Sequence, residues 1–151
     1  MKHLRSLIAA RTFGSTRYSV VYLPGSYTSQ DYGHDREVFE RALVLALEAF
    51  GLEPEPLLLF EHGRDAALSI LTDLLHKDLV HDHQYMPLTD ARDLANAVFE
   101  EHANASSRYF SNRKGPMRAG FNSFTKSTFD SGLIVSGDDG VFSCIWFEDE
   151  D

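Results

Sequence analysis

His76, Asp78, His81, Asp82 and His83 form the densest set of metal-ligating or proton-transferring side chains in the chain. Imidazole and carboxylate together could hold zinc or act as general acid and base. Their spacing matches no metalloprotease, zinc-finger or EF-hand pattern, and His81 and His83 share a face only if the segment is extended. Solvated surface histidines are the reading this spacing favours, and no metal or cofactor is expected. A second set comprises Asp31 and His34, before the most apolar segment of the chain, and Glu61 and His62, at the end of an apolar run. Open sheets with crossover helices place ligands at such strand ends. An enzyme of hydrolase type, built near Glu61/His62 or His76/His81/His83, is therefore the alternative to a binding role, with positional support only.

Residues 108–126 carry Arg108, Arg113, Lys114, Arg118 and Lys126, with Tyr109, Phe110, Phe121 and Phe124 among them and no acid. Bases interleaved with aromatic rings could contact phosphates and stack on nucleobases, so RNA binding is a third reading. The acidic remainder of the chain opposes it, and internal pairing of these bases with acids is the plainer expectation. The ending Trp146-Phe147-Glu148-Asp149-Glu150-Asp151 joins two large rings to four consecutive acids. Aromatic anchors beside acids suit a basic protein partner, with charge speeding the encounter and buried rings supplying affinity.

The 151 residues carry a net charge of −9 in four blocks of alternating sign. Residues 1–30 hold four bases and no acid, residues 31–103 sixteen acids and five bases, residues 104–129 five bases and no acid, and residues 130–151 seven acids and no base. Such a field disfavours loose binding to nucleic acid or anionic lipid and favours a basic partner. No phosphate loop, dinucleotide fingerprint or serine elbow is present, which removes the common nucleotide-dependent and esterase classes as defaults. The single Cys144 lies in an apolar run, consistent with a packed, reduced thiol. The apolar patch Leu7 to Ala10 is too short for a signal core or a membrane span. A cytoplasmic protein is expected.

Small size, acidity and the lack of catalytic motifs are features shared, as a class, with bacterial immunity proteins and other inhibitors that mask basic enzymes; they are also common to many unrelated proteins. The function these features favour is a small acidic binding module, immunity-like or otherwise inhibitory. Trp146 to Asp151 would form its binding surface, and Arg113, Lys114 and Arg118 the nucleic-acid alternative.

The elements that must position these groups begin with DREVFERALVLALEAFG, residues 35–51. Phe39, Ala42, Leu43, Ala46, Leu47 and Phe50 recur at helical spacing, and Val38 and Leu45 widen the stripe, so this helix is expected to be covered on several sides. Asp35 fits its N-cap and Gly51 its left-handed C-terminal residue. A short amphipathic helix is expected from Lys2 to Arg11 and a first strand from Tyr18 to Leu23. The apolar run Leu57 to Phe60 reads as a strand buried on both faces, parallel to the first through a crossover. Ala67 to Leu75 and Thr89 to His102 mark two more helices, with Thr89 as N-cap. Residues 103–128 read as extended or irregular chain, with a strand at Phe121 to Thr125. Leu133 to Ser136 and Val141 to Phe147 flank Gly137-Asp138-Asp139-Gly140, a hairpin signature, and both faces of the last strand are apolar. The expected fold is a single α+β domain over residues 1–151, with three main helices, a mixed sheet of about five strands and a C-terminal β-hairpin.

Overall fold

A computed structural model describes residues 15–22, 36–77, 84–115, 124–125, 129–136 and 141–149. Within them the chain forms β1 (Ser15–Tyr22), α1 (Arg36–Phe50), a 3₁₀ turn (Pro56–Leu58), β2 (Phe60–His62), α2 (Arg64–His76), α3 (Leu88–His102), β3 (Arg108–Ser111), β4 (Phe129–Ser136) and β5 (Val141–Asp149). The five strands make one sheet in the order β1-β5-β4-β3-β2, and every neighbouring pair is antiparallel.

This is the expected α+β arrangement of three helices, a sheet and a C-terminal hairpin, but the sheet is antiparallel rather than mixed. β1 and β2 do point the same way, as a crossover through α1 requires. They lie at opposite edges of the sheet because the β4–β5 hairpin and β3 stand between them. β1 pairs with β5 over eight positions, from Ser15 opposite Glu148 to Tyr22 opposite Val141.

α1 is helical for the reason its sequence shows. Phe39, Ala42, Leu43, Ala46, Leu47 and Phe50 are all buried and form the stripe that faces the sheet. Leu45 remains 39% exposed, so α1 is covered along one face and not on several sides. At its end Gly51 adopts φ 75°, its N–H donates to Glu48 O at 3.0 Å, and Leu52 N–H donates to Leu47 O at 2.9 Å. That bond pair is the Schellman arrangement, and it turns the buried Leu52 back against the helix.

The sheet is covered on both faces because its strands alternate two apolar sets. Phe110, Ile134, Phe142, Cys144 and Trp146 pack with α1, while Tyr109, Leu133, Val135, Ile145 and Phe147 pack with α2 and α3. Burial of one such large side chain contributes about 1.5–3 kcal/mol, which makes the two clusters the main source of stability. Gly132, on β4 opposite Trp146, has no room for a side chain: a Cβ there would lie 2.5 Å from Trp146 Cε3.

Three local expectations are corrected. Leu57 to Phe60 is not a doubly buried strand: Pro56 opens a 3₁₀ turn closed by Leu58 N–H to Glu55 O at 3.0 Å, and Leu57 is 83% exposed. Only Phe60–His62 pairs, as the short edge strand β2. Thr89 is not the N-cap of α3, since Pro87 occupies that position and the helix starts at Leu88. Thr125 is not in a strand, and the strand of this region is Arg108–Ser111 instead. The expected N-terminal helix, Asp35, residues 116–123 and the 137–140 turn lie outside the described residues.

Candidate functional site

Trp146 and Phe147 do not form a surface anchor. Adjacent residues of a strand point to opposite faces, and because β5 is central in a sheet covered on both sides, each ring is fully buried in a different cluster. Trp146 Nε1 donates to Asp130 Oδ1 at 3.1 Å, and its ring lies 5.6 Å from that of Phe124. Asp130 is itself fully buried. It also accepts from Asn112 Nδ2, from the Phe124 and Thr125 N–H groups and from Thr125 Oγ1 at 2.9–3.2 Å. This carboxylate ties the 124–125 segment to the sheet. Glu148 is half-buried and the Asp149 backbone completes β5, while Glu150 and Asp151 lie outside the described residues.

The basic segment is dispersed in the same way. Tyr109, Phe110 and Phe124 are core residues and offer no rings for stacking. Arg113 is 3% exposed and its Nη1 donates to Asp73 Oδ2 at 2.8 Å. Arg108 donates through Nε and Nη2 to both carboxylate oxygens of Glu61 at 2.8 Å, and its Cζ lies 3.9 Å from the Phe39 ring centroid. Lys114 is exposed, and Arg118 and Lys126 lie outside the described residues. The plainer expectation of internal pairing is what Arg108 and Arg113 display.

His76 Nδ1 donates to Met86 O at 2.7 Å, which tethers the end of α2. Asp78, His81, Asp82 and His83 lie outside the described residues, as do Asp31 and His34. Among the described residues no group of three or more His, Cys, Asp or Glu is arranged to hold a metal ion.

Two surface features remain. The first is a groove of about 630 Å³ at the end of β2, lined by Glu61, His62, Arg64, Ser107, Arg108 and Tyr109 and the small residues between them. The expectation that Glu61 and His62 border a cleft thus has a geometric counterpart. Hydrogen bonds from Arg108 hold the Glu61 carboxyl below its ordinary range, against partial burial that works the other way. The same bonds raise Arg108. With both oxygens engaged, Glu61 is poorly placed to carry a proton at neutral pH. His62 Nε2 lies 2.8 Å from Arg113 O, so that nitrogen carries the hydrogen and Nδ1 is the ring's other polar atom.

The second feature was hidden in the sequence by its apolar character. Pro54, Glu55, Pro56 and Leu57 form a knuckle that, with Glu40, Arg41 and Val44 of α1, borders a shallow depression of about 510 Å³. Two prolines within three residues brace the knuckle, and Leu57 projects from it. Glu48, Glu53 and Glu55 are exposed nearby in the chain, Glu48 one helical turn beyond Val44. The sign available in the sequence was proline immediately before the apolar run, at the first position of a turn rather than of a strand.

No family model, curated protein or solved structure matches this chain. Among the described residues no helix is long and apolar enough to cross a membrane.

Proposed function

We propose that the protein is a cytoplasmic binding module that engages a basic protein partner, an inhibitor or immunity-like protein that masks a basic site. The observation that carries this reading is Leu57, 83% exposed on a proline-braced turn with acidic residues around it. A leucine held out in water on a stiff backbone gains free energy when a partner covers it and loses little conformational freedom in doing so. Glu40 and Glu55 on the same depression, with Glu48 and Glu53 beside it, give the approach a negative field. Among the described residues Arg41 is the only base lining it. The partner this chemistry fits presents an apolar pocket or side chain within a ring of lysine and arginine. The chain's net charge of −9 supports the same choice through long-range attraction.

The reading moves the anchor from the C-terminal rings to the turn before β2. Nucleic acid is a poorer fit, since the three described rings of that segment, Tyr109, Phe110 and Phe124, are buried and its two described arginines are paired with acids. The test is affinity capture with the wild-type chain, Leu57→Ser and Glu55→Lys, at low and at high salt, followed by titration with the captured protein once purified. A basic protein should be retained, less strongly at high salt. Leu57→Ser should weaken its binding about tenfold or more. Capture that is unaffected by both substitutions, or that retains only RNA, would refute the proposal.

A further inference from the structure

We propose that the groove at the end of β2 binds a small monocarboxylate, gripped by Arg64 and Tyr109. The groove's volume of about 630 Å³ falls within the range of small-molecule sites. Arg64, the first residue of α2, is exposed, and its guanidinium is already positioned. Cζ lies 5.2 Å from the Phe99 ring centroid, and Nη1 donates to the Tyr109 hydroxyl at 3.3 Å. Phe99 and Tyr109 stack in turn, with centroids 5.3 Å apart and planes at 5°. A guanidinium fixed against a ring and a phenol has lost much of its rotamer freedom before a ligand arrives, and its planar fork matches a carboxylate.

Tyr109 supplies the independent observation. The residue is 4% exposed, yet its hydroxyl, accepting from Arg64, donates to no acceptor among the described residues. Buried phenols ordinarily find an acceptor. This one lines the groove, and a carboxylate oxygen bridging the Arg64 fork and the Tyr109 O–H would supply what is missing.

Charge selects among oxyanions. Glu61 and Arg108 neutralise one another within the groove, which leaves Arg64 as the single charge among its described residues. A monoanion is matched by it, whereas a dianion such as phosphate would bring a second negative charge toward Glu61. Ala103 and Ala105 also line the groove and are small and apolar, and they suit a ligand whose carboxylate is attached to a compact apolar body. The site lies on different residues from the Leu57 surface and rests on no part of the protein-binding reading.

The experiment is titration of the full chain with benzoate, benzyl alcohol and inorganic phosphate, followed by amide and arginine Nε–Hε NMR shifts. Benzoate should move the signals of residues 62–64 and 103–109, Arg64 Nε–Hε among them, along a saturable curve. Benzyl alcohol should not, and phosphate should bind more weakly. Arg64→Gln should weaken benzoate binding about tenfold or more, and Tyr109→Phe, which keeps the stacked ring, about threefold to tenfold. The wild-type shift map locates the ligand without depending on any variant. No saturable shift by about 10 mM benzoate, the regime of a millimolar Kd, overturns the proposal. So does equal response to the alcohol, tighter binding of phosphate, or wild-type affinity in either variant.

Discussion

Asp130→Asn isolates what the buried carboxylate does, because it changes one atom and keeps the side chain's shape. Oδ1 accepts from Phe124 N–H at 3.0 Å, Trp146 Nε1 at 3.1 Å and Asn112 Nδ2 at 3.2 Å, and Oδ2 accepts from Thr125 Oγ1 at 2.9 Å and from Thr125 N–H at 3.2 Å. An amide has only one acceptor oxygen. Its best placement keeps that oxygen at the Oδ1 position and turns its NH₂ toward Thr125. Thr125 Oγ1 can then accept, but the Thr125 N–H meets another donor. One orphaned N–H costs about 1–3 kcal/mol, and each bond that loses its charged acceptor weakens by about 1 kcal/mol. Over the three Oδ1 bonds these terms reach about 4–6 kcal/mol, of which the cheaper burial of a neutral amide offsets about 2 kcal/mol. A loss of about 2–4 kcal/mol is expected, a large part of a domain's total of about 5–15 kcal/mol. Trp146 is the only tryptophan, so urea unfolding followed by its fluorescence reports both the site and global stability. With slopes of about 1–3 kcal/mol per molar urea, the midpoint should fall by about 1–2 M. A midpoint within about 0.3 M of the wild type would refute the reasoning, since it would mean that the donors gain nothing from the charge.

Gly51→Ala forces a Cβ into the φ 75° conformation that ends α1, and a loss of about 1–2 kcal/mol should appear in the same urea assay. Arg113→Ala removes the 2.8 Å donor to Asp73 from a largely buried pair, and chemical denaturation should register about 1–3 kcal/mol. Glu61→Gln removes a carboxyl held below its ordinary range chiefly by Arg108's hydrogen bonds, so the wild type's advantage should be fully present above about pH 4.3 and should vanish as pH falls through the depressed folded value. The pair is partly exposed, so solvent screening limits that advantage to under about 1 kcal/mol, and an advantage that grows on acidification would contradict the assignment.

Residues 39–50 show why some of this fold was legible. The helical stripe, the Gly51 stop and the two apolar faces of β5 are each written within one turn or one strand, where spacing alone decides the outcome. The neighbour of β1 is written nowhere nearby. Its partner β5 lies more than a hundred residues away, and the helical crossover reports the direction of β2 but not its place in the sheet. The candidate sites failed for a related reason. Arg108 and Arg113 read as surface bases until their acids, 47 and 40 residues distant, come beside them. Trp146 read as an anchor because its neighbours in the sequence are acids, whereas its neighbours in space are Asp130 and Phe124. Leu57 read as core because apolar runs usually are, and the proline before it outweighed the run.

Internal pairing also redistributes the charge that any partner meets. Glu61 with Arg108 and Asp73 with Arg113 remove two acids and two bases together, so the net −9 is unchanged while its location shifts. Glu48, Glu53 and Glu55 remain exposed around the α1 end of the molecule, and Arg64 is the charge left over in the β2 groove. The two proposed sites therefore carry opposite local sign and sit on separate elements, and substitutions at one should act independently of the other. Leu57→Ser should leave the benzoate titration at its wild-type affinity, and Arg64→Gln should leave retention of the basic partner unchanged. A variant that weakened both would mean that the turn at Pro56–Leu58 and the short strand Phe60–His62 move as one unit. Only Leu59 separates these two elements, so such coupling would have a short covalent path.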